Sequence, residues 1–369
     1  MATAVWLANT PGTFTSHTVV VFRSFLIASA ILALASSTAE GVSSAATMGQ
    51  TTSGSAVVGL SRQIKPSTCA LSKPAMGRPS VLAAKIIHID AGAAVLVNVC
   101  IDDAGPFPFV IDSGSSSSAI DQQLSRRFRL RPVGAPEQAA GIACRATVVP
   151  EQLSSWSVGG VALRPQVVLS VSLPKLGQNQ PIAGILGSDV LSRFGSVRID
   201  YRALTVSFGA AESASPTANG VVRGPTSTPT PAQFVKDVRA DAGLTIAARQ
   251  GGVVAYAPIA LGGSETQRFV VDTGAAVSNI SPLLARSLHL PSAHRSVRFP
   301  AIGCPVTLTE VKSGRWTLGS TPLRPQLVAT LPASGIKSEG LLGSDVLSRF
   351  GAVVIDYRAA RLLLESSRA

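Results

Sequence analysis

The 369-residue chain is long enough for two domains of ordinary size. Its apolar content is 46%, carried by short runs of Val, Leu and Ala rather than helical stripes, which favours β structure over a helical bundle. A net charge of +12 comes from scattered positive residues that are not interleaved with aromatics, so nucleic acid is not an expected partner. The basic excess reads as a solvated surface, one that would also suit an anionic envelope surface. Four cysteines lack C-x-x-C spacing and the four histidines (His17, His88, His289, His294) form no ligand cluster, so neither a metal nor a cofactor is expected.

Residues 1–39 read as an export signal: Arg23, the apolar run SFLIASAILALASS, and an A-x-A site at Ala33-Leu34-Ala35. A leader of ordinary length would begin near Val19 to Val21, which places Met1 upstream of the expected start. Such a signal implies a periplasmic or extracellular protein, or a membrane-anchored one if cleavage does not occur. Residues 40–80, rich in Ser, Thr, Ala, Gly and Pro and carrying Cys69, read as a flexible arm. Structure is expected to start near Val81, with two strands turning at Ala91-Gly92. The segment DDAGPFP then leads into FVIDSGSSSSAI at 109–120.

A short helix or an irregular turn is expected over 121–130, and strands on either side of the Gly159-Gly160 turn. Ser188 to Phe194 reads as a helical stretch with Ser188 as N-cap and Gly195 as stop. Val197, Ile199 and Tyr201, then Leu204, Val206 and Phe208, alternate as a closing hairpin. Residues 209–241, rich in Pro, Ser and Thr, read as a linker between one lobe at 81–208 and a second at 242–369.

The second lobe repeats the first. FVVDTGAAVSNI at 269–280 matches the Asp-bearing segment at an offset of 160, as do Cys304 to Cys144, Trp316 to Trp156, and LRPQ at Leu323 to LRPQ at Leu163. After a four-residue deletion, GLLGSDVLSRFGAVVIDYRA (340–359) matches GILGSDVLSRFGSVRIDYRA (184–203) with three differences. An apolar strand ending in Asp-Thr/Ser-Gly, followed downstream by Ile185-Leu186-Gly187 or Leu341-Leu342-Gly343, resembles the retropepsin-like aspartic proteases. The resemblance implies an all-β, bilobal acid-protease fold, two half-barrels related by a pseudo-two-fold axis, with both halves in one monomeric chain as in the pepsin family. Exchange of halves between two chains is the alternative arrangement.

The implied chemistry is an aspartic endopeptidase acting on peptide or protein substrates, with Asp112 and Asp272 as catalytic residues. Two carboxyls about 3 Å apart cannot both ionise, so they share a proton and can activate a water between them. By the same resemblance Ser113 and Thr273 link the two loops, and Gly114 and Gly274 allow the backbone to approach the carboxylates. At the next position Ser115 has a hydroxyl that could donate to the pair and Ala275 has none. Asp189 and Asp345 read as helix N-terminal carboxylates, and Asp200 and Asp356 as the starts of hairpin turns.

GIAC at 141–144 and AIGC at 301–304 fall where the family carries its flaps, naming Gly141, Cys144, Gly303 and Cys304. Neither segment has an aromatic residue, a departure from pepsin-like enzymes, and the lobes are nearer the retroviral length. Equivalent cysteines at two flap tips could form a bridge. The other reading keeps both as small apolar residues, with Cys69 and Cys100 also free. The rival from another class is a non-catalytic, exported peptide-binding module on the same fold.

Overall fold

A computed structural model describes residues 26–27, 69, 80–89, 91–141, 144–177, 179–209, 238–249, 251–331 and 339–365. The expected leader and cleavage site, nearly all of the arm and most of the linker lie outside the described residues; Leu26–Ile27 pairs in parallel with Ala140 and Gly141. No helix among the described residues is long and apolar enough to cross a membrane.

The first lobe opens on the hairpin Lys85–Ile89 against Gly92–Ile101, with Ile89 opposite Gly92. Ala104–Ile111 folds back antiparallel on the second of these strands and delivers Asp112. Its last three residues, Phe109, Val110 and Ile111, are all buried, as expected of a strand covered on both faces. Gly184–Leu186 inserts beside it in parallel, Leu186 opposite Ile111, and pairs antiparallel with Ala119 and Ile120 on its other side. The wide Asp112 turn therefore straddles an apolar strand from far along the chain. The second lobe repeats this arrangement. Gln267–Val271 runs antiparallel to Val253–Leu261 and parallel to Gly340–Leu342, which pairs with Asn279 and Ile280.

The lobes meet in an antiparallel sheet of six strands among the described residues. Ser80–Ala83, Ser196–Asp200 and Thr205–Phe208 come from the first lobe. Val238–Gly243, Ala352–Asp356 and Arg361–Glu365 come from the second. At its centre Ser196 pairs with Asp356, Arg198 with Val354 and Asp200 with Ala352. Because residues 196–200 and 352–356 are equivalent in the repeat, this register maps onto itself, and the pseudo-two-fold axis passes between Arg198 and Val354. Val197, Ile199, Val206, Phe208, Val353, Ile355, Leu362 and Leu364 bury the same face of the sheet and carry one apolar cluster through both lobes. Arg198, on the sheet's other face, pairs with Asp200 and Glu365, tying strands from both lobes.

The repeated Trp and LRPQ form one device in each lobe. The Trp156 indole donates to the Arg164 carbonyl at 2.9 Å and Trp316 to that of Arg324 at 2.8 Å. Both indoles are buried, so the repeat supplies the partner a buried N–H requires. Gln166 and Gln326, which end the two tetrapeptides, reach the buried carboxylates of Asp189 and Asp345.

Several local expectations need correction. The helix Ser188–Leu191 is capped by Gly187, whose residue type offers no side chain to accept, and continues as a 3-10 turn over Ser192–Phe194 before Gly195. Ser188 is not the cap because its hydroxyl is used across the lobe boundary, as described below. Leu204 is half exposed in the hairpin turn at φ 53 and is not part of the alternating buried face. Asp200 and Asp356 do begin turns, each accepting two backbone N–H groups from the residues that follow.

All four cysteines are paired. Cys69, in the expected arm, is bonded to Cys100 in the second strand of the first lobe, with Cα atoms 5.7 Å apart. Cys144 is bonded to Cys304 with Cα atoms 6.1 Å apart. The reading of all four as free thiols is thereby overturned: the distances fall within the span a disulfide bridges. Two disulfides fit an oxidising compartment.

Candidate active site

Asp112 and Asp272 emerge from the ends of equivalent strands and are both fully buried. Each main-chain N–H is fixed by the inserted strand: Asp112 N donates to Leu186 O and Asp272 N to Leu342 O, both at 3.0 Å. Each carboxylate then accepts two N–H groups from its own turn. Asp112 Oδ1 receives Gly114 N and Ser115 N at 3.0 Å, and Asp272 Oδ1 receives Gly274 N at 3.0 Å and Ala275 N at 2.9 Å. The Asp272 Oδ2 atom accepts no hydrogen bond from a protein donor.

The two loops are locked by a reciprocal exchange. Ser113 Oγ donates to Val271 O at 2.8 Å and accepts from Thr273 N at 3.1 Å; Thr273 Oγ1 donates to Ile111 O at 2.9 Å and accepts from Ser113 N at 3.1 Å. Four bonds thus cross the axis directly beneath the carboxylates. Gly114 and Gly274 stand where only hydrogen fits: a Cβ on Gly114 would overlap the Asp272 carboxyl, and one on Gly274 the Asp112 carboxyl. The glycines act here through close approach rather than through backbone angle.

Burial, and then the adjacent Asp112 charge, hold the Asp272 carboxyl well above the ordinary aspartate range. The N–H groups of Ala275 and Gly274 oppose this but do not cancel it. One proton is therefore retained by the pair at pH values where an exposed aspartate has lost its own.

Ser115 does not serve as a donor to the pair. Its hydroxyl donates to Ser117 O at 2.7 Å, and only its backbone N–H reaches Asp112. The difference between Ser115 and Ala275 is thus a matter of loop bracing, because the turn directs the hydroxyl along the chain and away from the carboxyls.

Asp189 and Asp345 lie on the first turns of short helices, but their main work is to hold the loops that follow the Asp turns. Asp189 accepts Ser118 N at 2.9 Å and Ser118 Oγ at 2.7 Å; Asp345 accepts Ser278 N at 2.8 Å and Ser278 Oγ at 2.6 Å. Burial raises both above the usual carboxylate range, and the Ser bonds only partly counter it.

A further set of contacts joins the lobes around the site. Gly92 and Gly252, at the tips of the opening hairpins, press on the opposite lobe: a Cβ on either would overlap backbone there, at Ala276 and Ser116 respectively. Ala93 N donates to Ser344 Oγ at 2.9 Å, and Val253 N to Ser188 Oγ at 3.1 Å. Sequence reading missed Ser188, Ser344, Gly92 and Gly252 as support. Their recurrence at the repeat offset was the available signal, but nothing in it distinguishes a contact within a lobe from one across the axis.

The flaps are two antiparallel hairpins. Glu137–Gly141 pairs with Arg145–Leu153, and Ser292–Pro300 with Pro305–Lys312. Gly141 ends the first strand of its hairpin and Cys144 follows the tip, while Gly303 and Cys304 lie in the tip of the other, Gly303 at φ 91. Ile142 and Ala143 lie outside the described residues. Ile302 is buried in a cluster made by the opposite lobe: Ala139, Ala146 and Val148 from the other flap, with Ala119 and Ile185 beside the Asp112 loop. The second flap therefore crosses the axis and closes on the first lobe.

The model for the family described as Aspartyl protease matches the chain twice, over residues 97–190 and 257–346. The chain belongs to the aspartyl protease family. Each match begins inside a strand before the Asp turn and ends in the short helix bearing Asp189 or Asp345, so it spans one Asp turn with its inserted strand and one flap, and leaves out the hairpin tip at Gly92 or Gly252. The two matches correspond to two tandem half-domains in a single aspartyl protease chain. No curated protein matches it.

Proposed function

We propose that this aspartyl protease family member is an exported endopeptidase that hydrolyses peptide bonds with a water activated by Asp112 and Asp272. The observation that carries the reading is the paired burial of two carboxyls from equivalent turns, with one of them held in its protonated form by burial and by its neighbour. One carboxylate takes a proton from water as the water oxygen attacks the scissile carbonyl. The other carboxyl gives its proton to the developing oxyanion; as the C–N bond breaks, the carboxyl that took the water proton passes it to the leaving nitrogen and the adduct's hydroxyl returns a proton to the other carboxylate. The turn N–H groups keep both carboxyls in fixed orientation, so little reorganisation is needed at the moment of reaction.

Digestion of a mixed peptide library, read by mass spectrometry from acidic to neutral pH, tests this. Internal cleavage at recurring side-chain contexts is expected. Intact peptides that nevertheless bind would transfer the chain to the non-catalytic, peptide-binding class.

Export rests on Arg23, the apolar run and Ala33-Leu34-Ala35, and is supported by the two disulfides. The mature chain from the native host is expected to begin shortly after Ala35. N-terminal sequencing that still reads residues 24–35 would show an uncleaved anchor.

A further inference from the structure

We infer that the Cys144–Cys304 bond above and the paired sheet strands below make the cleft a closed ring, so that the enzyme takes polypeptide segments it can thread by a free end and excludes loops and cyclic chains. The inference rests on the proposed peptidase reading and adds a substrate class to it. Three features lie on one pseudo-two-fold axis: the Arg198–Val354 pair at the centre of the six-stranded sheet, the Asp112–Asp272 pair, and the bond between two equivalent cysteines. Val197, Ile199, Val353 and Ile355 of that sheet share one buried apolar cluster with Ile111 and Val271, the residues just before Asp112 and Asp272, so the sheet lies beneath the carboxyls. On the other side Ile302 of the second flap is buried in one apolar cluster with Ala119 and Ile185, which flank the Asp112 loop, so the flaps lie above that loop. The carboxyls therefore stand between sheet and flaps.

The two lobes and the sheet between them complete the circuit. From Cys144 the first lobe descends by Arg145–Leu153, Gln166–Val171 and Gly184–Leu186 to the sheet strand Ser196–Asp200. That strand pairs with Ala352–Asp356 of the second lobe, in which Val253–Leu261 and Gln267–Val271 lead past Asp272 toward Cys304. The disulfide joins the lobes across the roof. A substrate lying on the carboxyls beneath the flaps passes through this ring, and a chain without an end can neither enter nor leave it while the disulfide and the sheet pairing are intact.

Ordinary flaps solve this problem by opening. Here the tips are held twice, by the disulfide and by Ile302 in the cluster of the opposite lobe, with Gly303 placed where a Cβ would press on Arg145 O. Sideways threading of an extended segment needs only the two ends of the tunnel. Unfolded peptides and frayed chain termini meet that condition, whereas a loop on a folded protein does not.

The test uses one cleavable sequence in two forms, linear and head-to-tail cyclic, with the ratio of their cleavage rates as readout. Non-reducing peptide mapping first establishes that Cys144 and Cys304 are joined in the full-length protein used. Wild-type protein is expected to cleave the linear form at least 100-fold faster than the cyclic one. In the double variant Cys144→Ser/Cys304→Ser the ratio is expected to fall below about tenfold, because the flaps can part. Treatment of wild type with a dithiol, which gives its two electrons and two protons to the bridge and is itself oxidised to a disulfide, provides the same comparison should the variant not fold. Comparable cleavage of both forms by bridged wild type overturns the ring. So does a ratio unchanged after the bridge is removed. Failure of every form of the protein to cleave even the linear peptide overturns the peptidase reading itself, which the equal-rate outcome leaves standing.

Discussion

Asp112→Asn and Asp272→Asn are each expected to lower kcat/KM on a peptide substrate by about 10³-fold or more, because an amide can neither share the proton nor accept one from water. The losses should be similar, since each carboxyl has the same pair of turn donors and the same strand beneath it. The fold should survive. An asparagine at 272 can place its carbonyl oxygen where Oδ1 receives Gly274 and Ala275, leaving the amide nitrogen at the position of Oδ2, which accepts from no protein donor. Removing a desolvated acid beside another also changes the response to pH. A carboxyl whose folded-state pKa is raised favours folding at low pH, and that contribution is lost as pH rises from the ordinary aspartate value through the raised one. Asp272, Asp189 and Asp345 all have this sense. Asp200, whose carboxyl is raised by burial but lowered overall by its turn N–H groups and Arg198, has the opposite sense, so the test is a difference: Asp272→Asn is expected to lose less melting temperature than wild type as pH rises from acidic toward neutral. An Asn variant that retains activity within tenfold of wild type, at unchanged melting temperature, would remove the shared-proton mechanism.

The second large effect belongs to the glycines. Gly114→Ala and Gly274→Ala each drive a methyl group into the carboxyl of the opposite lobe, in a place where four cross-axis hydrogen bonds fix the spacing. Relief requires the loops to separate, which breaks the Ser113 and Thr273 exchange. A destabilisation of about 3 kcal/mol is expected, at the upper end of ordinary overpacking, together with loss of hydrolysis. Gly243→Ala is the control, since a Cβ there meets nothing within 4 Å. Urea midpoints for the three variants decide the matter. Near wild-type stability and turnover in Gly274→Ala would mean that the lobes are not packed as closely as these contacts require.

The repeat was legible because its two copies still share their constrained residues. Asp112 and Asp272, the glycines beside them, the Leu-Gly pairs, and Cys144 with Cys304 all recur at fixed offsets. Elements with a local cause were legible too: the hairpin turning at Ala91-Gly92, the turns at Gly159-Gly160 and after Asp200, and the short helix Gln122–Phe128 capped by Asp121. What sequence reasoning could not supply was direction across the axis. Ser188 looks like a helix cap by its position, and a cap is a local device; its actual partner is Val253, in the other lobe. Ser115 looks like a donor to the carboxyls until the turn is built and its hydroxyl is spent on Ser117. Cys69 lies in a stretch of turn-forming residues with no pattern to connect it to Cys100. Gln166 and Gln326 were visible as part of a repeated tetrapeptide, but their role depends on Asp189 and Asp345 being buried, which depends on the assembled lobe.

The self-mapping register at the centre of the six-stranded sheet has a kinetic consequence. Two separate copies of such a half could assemble through the same strands, but their active fraction would fall with dilution, because association would be second order in concentration. Here the peptide chain through residues 209–241 connects the two halves. Docking becomes a first-order event whose effective concentration does not depend on how much protein is present. Specific activity should then be independent of total protein over any range at which the assay can detect it. The tether also frees the two halves to diverge: Ser115 occupies the position equivalent to Ala275, and Arg198 faces Val354 across the axis, differences that an assembly of identical halves could never hold.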